Sequence, residues 1–259
     1  MRDNTEIRHV PATLTGRRAG RLAVVLTSTD STERTWTMTT QMAATKTRTA
    51  DPATRSRTGL LFGTLVVTSL LGLALTVLWP EPAGEWYAYG DVAPIRDRFF
   101  AVLTVLTVVF LLGVPAQALA AMLVTRHRGA GWATAGGAVL ILGAAMQATG
   151  PAGWAMLYYY ASGPALDPAT ATAFMARIAS DGLLYAVPTV GAVLVALGTA
   201  VQAVGLWRSR ALPRWVPLAS LAILPSFVLP TNGVAGALVQ VPVAAAAVAL
   251  GWYAWRRTV

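Results

Sequence analysis

From residue 59 onward, long apolar stretches without charge alternate with short polar turns, and each stretch is close to the length that carries a helix across a bilayer. About 20 apolar residues at a rise of about 1.5 Å each cross a hydrocarbon core of about 30 Å. The pattern predicts six such helices, over residues 59–79, 99–124, 131–157, 183–207, 213–230 and 234–255. Trp79 is an expected interface anchor and Pro80 ends the first span; the second carries Pro115 and Gln117 near its close. The third is interrupted at Gly150-Pro151 and then runs on to Tyr158, Tyr159 and Tyr160. A kink at Pro151, with the tyrosines at or above the interface, is the expectation. Pro230-Thr231-Asn232-Gly233 divides the last apolar region as a chain-reversal signal, after a short piece that carries Pro217 and Pro225.

One segment between the third and fourth spans has a different period. Asp167 followed by Pro168 reads as an N-cap and a first-turn proline, and Ala171, Phe174, Met175 and Ile178 recur at helical spacing. Residues 168–180 are therefore expected to form an amphipathic helix on the membrane surface. The fold class is all-α, a polytopic transmembrane helical bundle.

Composition agrees: 55% of the 259 residues are hydrophobic and 12% are charged, about half the charge of an ordinary soluble domain. Residues 1–58 hold ten of the twenty basic residues with no sustained apolar period, so they read as a disordered Arg/Thr-rich tail. Arg17-Arg18 precedes an apolar run, but Leu22 to Leu26 is too short for an export signal. Met38 and Met42 suggest a second hypothesis, that translation starts at one of them. A native peptide covering Thr5 to Arg17 would rule that out.

The remaining arginines set an orientation. Arg126 and Arg128, then Arg208, Arg210 and Arg214, then Arg256 and Arg257 fall on the same side as the tail, whereas Arg96, Arg98 and Arg177 fall opposite. Positive-inside topology then places both termini in the cytoplasm and the chain in the plasma membrane. The two arginine turns, TRHRGAGW and WRSRALPRW, share an Arg-x-Arg element before a tryptophan. Either a parallel repeat or independent selection for inner arginine and interfacial tryptophan accounts for the likeness. Nucleic-acid binding is not expected, because the post-tail arginines cluster at span ends.

Chemistry is sparse. No charged residue lies mid-span, which argues against an ion-coupled pump. Four amides enter the spans, Gln117, Gln147, Gln202 and Gln240, and these serve either as interhelical hydrogen-bond partners or as a polar path. Each in-span proline, Pro188 and Pro242 among them, is either a tolerated kink or a break of the kind that builds transporter sites. Small residues at helical spacing, Gly59 with Gly63 and Gly191, Val195 and Gly198, permit close helix approach. The opposite face carries Asp91, Asp97, Asp167, Arg177 and Asp181, read either as a solute or metal site or as solvated charges. Cysteine is absent, His9 and His127 have no ligand partner at usable spacing, and no catalytic or cofactor motif is found, so no cofactor or metal is expected.

The six spans, short arginine-rich inner turns and the Leu-Pro-Arg-Trp opening at Leu212–Trp215 resemble uncharacterised six-span integral membrane proteins of GC-rich actinobacteria. The resemblance covers residues 58–257 and implies a helical membrane fold with no activity attached. Three functions follow, in order of preference. The first is a non-enzymatic membrane component with the bilayer, a protein partner or a second copy of itself as partner. The second is a transporter or channel for a neutral or amphipathic solute, and the third an intramembrane enzyme acting on lipid.

Overall fold

The computed structural model describes residues 51–84, 86–125, 128–227 and 233–258. The expectations placed on the tail up to residue 50, Met38 and Met42 included, on Arg126 and His127, and on Pro230-Thr231-Asn232 lie outside the described residues. The described chain is helical, with no strand among the described residues, and five of its helices are long and apolar enough to cross a membrane.

The first helix, α1 (Pro52–Leu78), begins earlier than its apolar run. Asp51 caps it, its carboxylate accepting from the Ala53 amide at 3.4 Å, and Pro52 occupies the first turn. The expected tail boundary at residue 58 is thereby corrected, because Arg55 and Arg57 already lie on α1. Charge marked where the apolar layer starts, whereas the cap decides where the helix starts.

A short α2 (Tyr89–Val92) and one 3-10 turn lead into α3 (Arg96–Val108), which continues through a π-turn at Val109–Gly113 into α4 (Val114–Val124). Pro115 causes the irregularity: it has no N–H for the Leu111 carbonyl, and the wider turn just before it absorbs the change of register.

Next comes α5 (Ala130–Ala161), 32 residues and about 48 Å long. The helix runs unbroken through Pro151. Gly150 and Pro151 are buried, and a Cβ on Gly150 would lie 3.0 Å from the Pro188 ring. Packing holds the helix across the one carbonyl, that of Gln147, which Pro151 cannot serve. The excess length carries Tyr158, buried, and Tyr160, exposed, into the far end of the bundle.

There α6 (Pro168–Ser180) lies across the helix ends with Ala171, Met175 and Ile178 buried and Phe174 exposed. The remaining elements are α7 (Gly182–Ser209), α8 (Trp215–Ser220), a 3-10 segment at Leu221–Phe227 and α9 (Gly233–Arg256). Together α8 and the 3-10 segment extend about 23 Å, short of a hydrocarbon core, and they replace the regular helix expected over residues 213–230. Pro225 removes the donor that a regular helix would need at that point.

Two seams organise the bundle. In the first, α5 and α7 meet through glycines spaced by seven residues: Gly129, Gly136 and Gly143 on one helix face Gly205, Gly198 and Gly191 on the other. A Cβ on Gly136 would fall 2.5 Å from the Gln202 amide nitrogen, and one on Gly191 would fall 2.4 Å from that of Gln147. Backbone therefore rests on backbone. Gly129 also has a φ of 93°, which L side chains rarely adopt, and its Cβ would meet the Gly205 carbonyl oxygen at 2.2 Å. In the second seam α1 and α9 run antiparallel. Phe62 stacks on Trp255 at 5.8 Å, and the Thr58 and Thr258 hydroxyls bond at 2.8 Å.

Thr58 and Thr258 thus lie at one end of the bundle, here called the basic end. Arg257 ties that end together by donating to the carbonyls of Val124, at the close of α4, and of Ala211, at 2.9 Å. At the other, aromatic end, Tyr87, Phe99 and Tyr158 pack edge to face, with centroids 4.8 to 6.0 Å apart.

Candidate functional site

Between the two seams, on the aromatic half of the bundle, lies a cavity of about 340 Å³. Its walls come from α1, α3, the π-turn, α4, α5, the 3-10 segment and α9. Each irregularity of the backbone is therefore used here: Val109, Phe110 and Gly113 of the π-turn and Ile223 and Ser226 of the 3-10 segment all line it. Irregular backbone at membrane depth persists where it is buried in protein or lines a polar cavity, and these two segments fit that rule.

Three of the four glutamines, Gln117, Gln147 and Gln240, line this one cavity. They come from α4, α5 and α9, so the chain brings together amides more than a hundred residues apart. Gln202 does not join them. It is 2% exposed within the helix packing, and its Nε2 donates to the Ala118 carbonyl at 3.3 Å, the interhelical role available to a buried amide. Gln147 differs, since its Oε1 is buried and accepts nothing from the protein. An acceptor left this way costs about 1–3 kcal/mol. The same side chain lines the cavity.

Three of the four hydroxyls on the wall, all but that of Ser69, have a consistent polarity. Thr68 donates to the Thr64 carbonyl at 2.8 Å, Thr76 to that of Gly72 at 3.0 Å and Ser226 to that of Ile223 at 2.6 Å. Their protons are engaged by their own segments, and their lone pairs remain. The lining therefore offers hydroxyl and amide oxygens in excess over three amide NH2 groups. No charged residue lines the cavity.

No known protein family, curated protein or solved structure matches the chain. The local chemistry has to carry the reading alone.

The acids at the aromatic end are placed differently from the glutamines. Asp91 accepts from the Ala88 amide at 3.0 Å, Asp167 from the Ala169 and Thr170 amides at 3.1 and 3.0 Å, and Asp181 from the Leu183 amide at 3.0 Å. All three act as helix-terminal acceptors. The Thr170 hydroxyl and amide hold the Asp167 carboxyl below its ordinary range. Asp97 lines a surface groove with Arg96 and Arg98, apart from Asp167, Arg177 and Asp181. Arg96 lies 3.8 Å from the Tyr159 ring centroid and donates to that residue's carbonyl, and Arg98 donates to the Leu78 carbonyl at the end of α1. Arg177 sits in the last turn of α6. Among the described residues no cluster of acids or histidines is suited to a metal.

Burial pushes the Tyr87 phenol up to about 12, with help from the nearby Glu81 and Asp91 charges. Its hydroxyl donates to the Pro80 carbonyl at 2.5 Å, just beyond α1, so this side chain joins the cavity-bearing helix to the aromatic cap.

Sequence reasoning did not single out Thr68, Thr76, Ser226 or the π-turn. Hydroxyls that bond back to their own helix leave no periodic signal. The usable sign was Pro115 two residues before Gln117, a backbone break beside a half-buried amide.

Proposed function

We propose that the protein is a six-crossing plasma-membrane protein that holds a neutral solute in an intramembrane cavity, as a carrier or channel and not as an enzyme. The cavity that gathers Gln117, Gln147 and Gln240 is the single observation that carries this reading. It places solute handling ahead of the membrane-component reading that composition alone favoured. A charged ligand would require a counter-charge in the wall, and the lining is uncharged.

Six crossings are supported by the ends of the chain. The contacts of Thr258 with Thr58 and of Arg257 with Val124 and Ala211 favour an even number of passes between them. Five come from the long helices, and the sixth would be α8 with its 3-10 extension. Arg128, Arg208, Arg210, Arg214 and Arg256 gather at the shared end, which by the positive-inside rule is cytoplasmic. The acids at the aromatic end serve as helix caps, which speaks against a lipid-acting enzyme there.

The test is Gln147→Leu in proteoliposomes. Loss of neutral-solute flux in a variant at least as heat-stable as the parent supports the proposal. A variant that unfolds and keeps flux in its surviving fraction returns Gln147 to a structural role. A reporter fused after Val259 and found outside the cell overturns the six-pass arrangement.

A further inference from the structure

Resting on that reading, we propose that the ligand is an uncharged amphiphile with a hydroxyl-bearing head and one hydrocarbon chain, and that it enters sideways from the bilayer between α1 and α9. Two observations meet here. The wall offers hydroxyl oxygens whose protons are engaged, so a head that supplies O–H donors satisfies them, whereas a carboxylate or phosphate would find no counter-charge in the lining.

The second observation lies on the membrane-facing side of the same helices. An apolar groove of about 610 Å³ runs there between α1 and α9, from Phe62 and Trp252 towards Leu73 and Val241. Eleven residues of α1 separate Phe62 from Leu73, a length of about 16 Å. Ser69, Leu73 and Ala244 line both the groove and the cavity, and so form the wall between them. Two of these three side chains are small. The chain of the amphiphile would lie in the groove and its head would pass this wall.

The α1–α9 contact is graded along its length in a way that suits such an entry. Towards the basic end it is tight, since a Cβ on Gly251 would lie 2.9 Å from the Leu65 side chain and Phe62 and Trp255 stack. Towards the aromatic end it is looser: a Cβ on Gly72 of α1 would meet only Val109, at 4.0 Å, and no atom of α9 within that distance. Parting of the helices is thus confined to the half that borders the cavity.

The chain contains no cysteine, so introduced thiols are unique. Full-length protein carrying Ser69→Cys and Ala244→Cys is placed in phosphatidylcholine nanodiscs and bridged with a reducible bis-thiol reagent. A photoreactive 1-monoacylglycerol is the amphiphilic probe, photoreactive glycerol the water-soluble one, and labelled peptides are mapped by mass spectrometry. Monoacylglycerol should label the cavity walls around Thr68 and Ser226, bridging should abolish that labelling, and reduction should restore it. Gln147→Leu and Gln240→Leu in the unbridged parent should each lower it by about fivefold, the value of one hydrogen bond.

The failures are distinct. Equal competition by the fatty acid of the same chain length, ionised at pH 8, overturns the uncharged head. Labelling that survives bridging overturns the sideways route. Cavity labelling by glycerol but never by monoacylglycerol overturns the amphiphile and leaves the neutral-solute reading intact. Labelling of the cavity by neither probe overturns both.

Discussion

The α5–α7 seam and the α1–α9 side of the bundle are made of the same apolar alphabet and pack in opposite ways. Along the first, glycines at seven-residue spacing let two backbones touch, and a packed face with no room for a Cβ results. On the second, amides, hydroxyls and two breaks in helical register hold the helices apart around about 340 Å³ of space. Lipid chains are as apolar as leucine, so helix association in a membrane depends on close contact and on hydrogen bonds. One seam uses close contact, which leaves the other free to keep its polar groups for something else.

The largest effect should come from the packed seam. Gly191→Ala puts a methyl group 2.4 Å from the Gln147 nitrogen, a backbone atom that cannot turn aside. A loss of about 3 kcal/mol or more is expected, at the upper end of overpacking. Gly63→Ala, with nothing within 4 Å, should instead gain about 0.5–1 kcal/mol from the helical preference of alanine. Thermal unfolding of the two variants in one detergent measures the contrast. Equal losses would mean that the glycine ladder is incidental.

The amides should divide the same way. Gln202→Leu removes the donor to Ala118 and should cost about 1 kcal/mol. Gln147→Leu removes an acceptor that the protein leaves unpartnered, so stability should hold or rise while ligand capture falls. Losses of the same sign at both positions would erase the distinction between glue and site. A smaller effect lies at the π-turn, where a Cβ on Gly113 would sit 2.9 Å from the Thr68 Oγ1. Gly113→Ala should cost about 1 kcal/mol, and adding Thr68→Ala should recover part of it, a coupling readable in a double-mutant cycle.

These contrasts also show what the sequence made legible. An all-helical membrane fold follows from charge-free length alone, and Asp167-Pro168 signals the start of α6 through cap chemistry that Asp51-Pro52 repeats for α1. That second signal was overridden because Arg55 and Arg57 resemble the tail in composition. The glycine ladder was in plain view as a period of seven on two segments. Only Gly191 and Gly198 attracted notice, because spacings of three and four were sought where antiparallel helices repeat every two turns. The four glutamines were legible as a class. Which of them share a cavity depends on helix rotation, and that is set by glycines elsewhere in the bundle. The acids fall on one side by topology, and Asp91, Asp167 and Asp181 lie at separate helix termini, where a carboxylate finds free amides.

The smallest effect concerns the link between the two regions at the aromatic end. Tyr87 donates to Pro80 beside the cavity-bearing α1 and packs on Phe99 and on Tyr158 of α5. Its phenol titrates at about 12 in the fold against 10.0 when free, so the fold favours the neutral form. That preference is fully present below pH 10 and is lost as pH rises towards 12. Partial exposure screens the effect, which should stay below about 1 kcal/mol. Tyr87→Phe should flatten stability over this window while sacrificing the hydrogen bond at neutral pH. Between about pH 10 and 12, with each rate divided by that thiol's own thiolate fraction, a thiol introduced at Ser69 should label faster as pH rises, whereas one introduced at Gly131 near the basic end should not. If both thiols respond alike, the cap does not act on the cavity side alone, and the two regions are one mechanical unit.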